Sequence, residues 1–189
     1  MHYLKINVPN YEVMRQELVN FTAKNVADQV RYWDVRRDYF KDTCPVFYDF
    51  IMSNSLIPVR LCRFYLTPPY DYLEPHIDGR IVDKSPFGLN LPVLGWENTT
   101  MDWYDCDESN MTDGNYGFGS IQSTKVIDFN KLKKVASVTI DTPTFVRTDH
   151  MHSVNNPNPT PRLILSVRWY SNQTLGQEFE DSFNVKRFL

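Results

Sequence analysis

The chain has 189 residues, 42% of them hydrophobic, which is enough to build one globular domain around its own core. Its 20 basic and 23 acidic residues leave a formal charge of -3, without the basic excess that nucleic-acid binding requires. No apolar run reaches the length of a membrane helix, and the opening "MHYLKINVPN" lacks the apolar core of a signal peptide, so the expectation is a cytoplasmic protein with no membrane partner. Cys44, Cys62 and Cys106 are widely spaced with no CxxC, which argues against a disulfide framework or a zinc knuckle. They read as small buried apolar residues.

In chain order, "YLKINV" alternates enough for an opening strand, and His2 just before it is set aside as part of a mobile terminus. "NYEVMRQELVNFTAK" places Val13, Met14, Leu18 and Phe21 at helical spacing, with Asn10 as the cap. "CPVFYDFIMSN" predicts a second helix, Pro45 in its first turn and Val46, Phe47, Phe50 and Ile51 along one stripe. From Pro58 the character changes. "PVRLCRFYLT", "FGLNLPVLGW", "TMDWYD", "VASVTID", "TFVRTDHMHSV" and "PRLILSVRWYS" are short runs rich in β-branched and aromatic residues, separated by Pro, Gly and Asn clusters. One domain over 1–189 is expected: a helical part, 1–57, and a mainly β core, 58–175, either sandwich or jelly roll. "DGNYGFGS" has no following lysine or helix start and reads as a loop, not a phosphate cradle.

The chemistry concentrates at two places. "EPHIDGR" sets His76 and Asp78 two apart, on one face of an extended strand, and "TDHMHSVNN" offers His150 and His152. Two histidines and one carboxylate form the facial set that holds non-haem iron(II) while leaving positions open. Geometry alone does not choose between His150 and His152. In "PRLILSVRW", Arg162, Ile164, Ser166 and Arg168 share one strand face. An arginine at the start of a buried strand needs a partner, and its planar fork suits a carboxylate. The simpler alternative pairs Arg162 with an acid of "DWYDCDE"; for Arg168 a structural pair is expected.

HxD, a later histidine and an arginine ten positions beyond it resemble the 2-oxoglutarate/iron(II)-dependent oxygenases. "LNLPVLGWENTTMDWY" and "VRTDHMHSVNN" are similar to the aspartyl/asparaginyl β-hydroxylase branch, in particular to short single-domain members of marine bacteria and their phages. The resemblance spans residues 58 to 170. It implies a double-stranded β-helix, or jelly roll, of about eight strands with the N-terminal helices packed on one sheet. It also implies iron(II) on His76, Asp78 and His152, 2-oxoglutarate anchored by Arg162, and O2 as oxidant. His152 is chosen over His150 because Arg162 lies ten after it. Tyr65 and Asn90 take cosubstrate-contacting positions by the same likeness, and the substrate would be a small molecule or peptide, hydroxylated at a C–H bond. One departure stands out: the well-known β-hydroxylases carry glycine where this chain has Asp78. A non-catalytic jelly-roll module that binds a ligand or metal is the alternative, and a cupin-type metalloenzyme without 2-oxoglutarate is a third reading.

Overall fold

The computed structural model describes residues 1–25, 31–78, 86–115, 122–170, 180 and 183–189. Among these, two six-stranded antiparallel sheets face each other, and helices cover the outside of one. The first sheet runs in the order β1 (Tyr3–Lys5), β10 (Thr144–Arg147), β5 (Phe87–Leu94), β12 (Arg162–Trp169), β3 (Val59–Thr67) and β2 (Tyr32–Val35). The second runs β7 (Met111–Asn115), β8 (Gln122–Val126), β4 (Asp71–Ile77), β11 (His152–Asn156), β6 (Thr100–Asp105) and β9 (Lys133–Val138). This is the jelly roll expected, with twelve strands among the described residues in place of about eight; β1 and β2, from the N-terminal part, extend the two edges of the first sheet.

Register sorts the side chains of the first sheet. Directly opposed residues of an antiparallel pair point to the same face, and β12 opposes Leu165 to Phe64 and Leu91, and Val167 to Cys62 and Leu89. These residues point outward, where Met14, Leu18 and Phe21 of α1 (Tyr11–Asn25) and Phe47 and Ile51 of α3 (Pro45–Asn54) close over them. Phe40, opening the short α2 (Phe40–Thr43), fills the space between the helices, edge-on to Phe47 at 4.9 Å. Trp169 gathers Phe87, Phe145 and Phe183 around it within 6.3 Å. With helices on one side and a sheet on the other, every residue of β12 is buried. Pro92 lies beyond the end of β10, so its missing N–H costs no ladder bond, while its carbonyl accepts the hydroxyl of Tyr11.

The opposite face of β12 looks into the space between the sheets. One end of that space is filled by Met101, Trp103, Val138, Ile140, Val146 and Ile164. The other end is left open and polar.

Several expectations change. Val13 is 51% exposed, because the core-facing stripe of α1 follows Met14, Leu18 and Phe21 instead. Asn10 does not take the extended backbone of a capping residue; its φ is 59°, and its carbonyl accepts from Val13 and Met14. His2 is no loose terminus: its carbonyl accepts from Arg147 and its ring stacks on Trp103 at 5.9 Å. Of the glycine-rich stretch expected to be a loop, Asp113–Asn115 lies in β7, and 116–120 falls outside the described residues. All three cysteines are free; Cys44 and Cys62 are buried, whereas Cys106 is only partly so.

Candidate metal centre

β4 and β11 are neighbours in the second sheet, and their register sets His152 directly opposite His76. Both imidazoles therefore project into the inter-sheet space, ring centroids 4.5 Å apart. Asp78 follows the last residue of β4, its amide held by the Thr148 carbonyl at 3.1 Å. Its Oδ1 lies 3.5 Å from His76 Nε2 and 4.0 Å from His152 Nε2. One donor atom from each of the three residues falls within 4.8 Å of the others.

The histidines are oriented from behind. His76 Nδ1 is 2.8 Å from the Glu74 carbonyl, and His152 Nδ1 is 2.8 Å from the His150 carbonyl. A carbonyl only accepts, so each Nδ1 carries a proton, and each Nε2 is turned toward Asp78. Burial, and then the neighbouring His76, pull the His152 pKa down to about 3, so His152 is neutral at physiological pH. Two imidazole nitrogens and one carboxylate oxygen are a donor set suited to a divalent first-row metal, iron(II) included.

Arg168 completes this cluster. Its guanidinium reaches Asp78 Oδ2 at 3.3 Å, Thr148 Oγ1 at 2.6 Å and Ser166 Oγ at 3.1 Å, all within a buried setting. The expected structural pair exists, and its partner is the carboxylate of the triad itself. Strand alternation puts Arg168 on the same face as Arg162, but its pairing with Asp78 depends on how the two sheets stack, which the spacing of residues does not encode.

The triad opens into a cavity of about 160 Å³ that is also lined by Arg162, Tyr65 and Asn90. The structure thus brings all six residues singled out in the sequence into one space. His150 is excluded: it is exposed and its ring rests against His2, Nδ1 to Nδ1 at 3.2 Å. The cavity's arginines differ in one respect. Arg31 pairs with Asp71 at 3.3 Å, Arg63 with Asp34 at 2.5 Å, and Arg168 with Asp78. Arg162 has no carboxylate partner among the described residues. It is only 4% exposed, and its Nε is buried without a hydrogen-bond acceptor. The acids of "DWYDCDE" do not serve it; Asp102 is taken by Lys134 at 2.6 Å and Ser137 at 2.5 Å on the other face of β6. Burial lowers the Arg162 pKa to about 10, which leaves it cationic at neutral pH. Asn90 Oδ1 is likewise buried without a partner among the described residues. Burial, and then Asp78, raise the Tyr65 pKa, so its phenol stays protonated as a donor.

No protein-family model matches the sequence, and no curated protein matches it. Solved structures do match in shape. A non-heme alpha-ketoglutarate-dependent carbocyclase, SnoK from nogalamycin biosynthesis, superposes with a TM-score of 0.56 at 12% identity, over 90% of this chain and 79% of that one. A non-heme monooxygenase, ThoJ, superposes with a TM-score of 0.52 at 12% identity, over 90% and 74%. The likeness is one of fold. No helix among the described residues is long and apolar enough to cross a membrane.

Proposed function

We propose that this protein is an iron(II)- and 2-oxoglutarate-dependent oxygenase that hydroxylates a peptidyl or free amino acid, or another small molecule. The observation that carries the reading is the guanidinium of Arg162, which has no carboxylate partner among the described residues and is buried in the same cavity as the His76, Asp78 and His152 donors. An isolated buried charge costs several kcal/mol, so a chain that keeps one has kept room for an anion. A dicarboxylate fits both ends: one carboxylate on the Arg162 fork, the other end at the donor cluster. The neighbouring folds include one protein described as alpha-ketoglutarate-dependent, which agrees with this assignment.

In this reading His76, Asp78 and His152 hold the iron. Bound iron with 2-oxoglutarate supplies the oxidation of a C–H bond by O2, with succinate as coproduct. The chain's own residues do the rest. The Glu74 and His150 carbonyls fix the two rings with Nδ1 as the donor and Nε2 turned to the cation, Arg162 fixes the distal carboxylate, and the Tyr65 hydroxyl donates toward the bound anion. Met101, Val154 and Ile164 line the same cavity and limit water. The similarity of "LNLPVLGWENTTMDWY" to the aspartyl/asparaginyl β-hydroxylases favours that branch, with Asp78 as a ligand the best-known members lack.

The test is 2-oxoglutarate affinity, measured by titration with Ni(II) in place of iron, in the wild type and in Arg162→Ala, alongside iron-dependent succinate release. Strong binding lost in the variant, with metal affinity retained, is expected. Equal binding by both proteins would leave a ligand-binding jelly roll as the better account.

A further inference from the structure

The two oxygens of Asp78 are treated differently, and this difference extends beyond the function proposed above while resting on its metal reading. Oδ1 faces His76 Nε2 and His152 Nε2. Oδ2 accepts from the Arg168 guanidinium, 3.3 Å away. Asp78 sits at the end of β4 in the second sheet and Arg168 on β12 in the first, so the contact bridges the two sheets beside the donor cluster. The guanidinium is itself held: Thr148 Oγ1 lies 2.6 Å from one of its nitrogens and Ser166 Oγ 3.1 Å from Nε. Gly88 completes its seat. A Cβ built at Gly88 would stand 2.5 Å from Arg168 Nε and 2.9 Å from Cζ, closer than any side chain tolerates. Glycine at this point of β5 leaves the space that the guanidinium fills.

We infer that Arg168 is a positioning residue that holds Asp78 Oδ2 off the metal, so that the carboxylate ligates through Oδ1 alone. A carboxylate not held by such a contact can ligate a cation through both oxygens. The second oxygen would then occupy a position that cosubstrate or water otherwise takes. Charge alone does not achieve this, because a lysine ammonium has no planar fork to span Asp78, Thr148 and Ser166 together.

The experiment counts metal-bound water. Mn(II) is loaded into the protein without cosubstrate, and the water-proton relaxivity is compared in the wild type, Arg168→Met, Arg168→Lys and Gly88→Ala. Thermal melts establish that each variant is folded. An octahedral ion on three protein atoms keeps three water positions, so loss of one lowers the relaxivity by about one third. That drop is expected in all three variants. Gly88→Ala keeps every hydrogen-bonding group and only displaces the guanidinium, so it and Arg168→Lys decide the question even where Arg168→Met fails to fold. Unchanged relaxivity in folded Gly88→Ala and Arg168→Lys overturns the inference, because position then has no effect on the carboxylate. Failure of the wild type to bind Mn(II) at all has a separate meaning: the metal reading itself falls.

Discussion

Arg162 and Arg168 share one face of β12 and are equally buried, yet their surroundings give them opposite energetics. Arg168 is satisfied on three sides, whereas Arg162 is a cation without a counter-ion among the described residues. Replacing even a buried ion pair with apolar residues of similar volume is often neutral or stabilising, by about 1–4 kcal/mol, and a charge without a counter-ion has no pairing energy to lose. Arg162→Met should therefore raise the melting temperature of the metal-free protein while it abolishes 2-oxoglutarate binding. A variant that melts lower than the wild type would mean that Arg162 is already compensated inside the protein. His76→Ala and His152→Ala should lose metal binding at concentrations that saturate the wild type, and Asp78→Gly should lose most turnover, as titration and succinate release would show. At this scale the sequence was informative where chemistry is local. HxD and an arginine opening a buried strand announce themselves, whereas the Asp78–Arg168 contact is a relation between sheets that no spacing encodes.

The jelly roll separates stability from chemistry by strand face. Phe64 on β3 points outward to Trp33 and Phe21, at ring distances of 4.9 and 5.9 Å, whereas Tyr65, the next residue, lines the cavity. Phe64→Ala should cost about 3–5 kcal/mol by leaving a cavity in the core. Its metal affinity should stay at the wild-type value, since nothing on that face touches the donors. Denaturant titration and metal titration of the same variant check both halves. The strands that the periodicity revealed were those buried on one or both faces, such as β5 and β12. β4 was harder to see although it carries His76, because "PPYDYLEP" reads as turn chemistry. Pro75 is tolerated there since β8 pairs with β4 only at His76 and Ile77. β2 was missed for a related reason: it is a short strand that, among the described residues, pairs only with β3, and its residues are at most half-buried.

For the molecule as a whole, the buried histidine couples folding to pH. The folded-state pKa of His152, about 3, lies below the ordinary value of 6.5, because burial penalises the imidazolium and His76 stands beside it. Between those values the unfolded chain takes up a proton that the folded chain refuses. The associated stability is complete above about pH 6.5 and is lost as pH falls toward 3, at up to about 1.4 kcal/mol per pH unit. Other groups titrate in the same range, so the informative quantity is the difference between the wild type and His152→Asn, an uncharged side chain that does not titrate. Unfolding free energies of the two metal-free proteins, taken by denaturant titration from pH 7.5 to 4.5, should converge as the pH drops if the substitution removes this proton linkage. The wild type loses stability with falling pH and the variant lacks that contribution. Parallel curves would show that His152 carries its proton in the fold as readily as in the unfolded chain, contrary to a nitrogen kept ready for a metal.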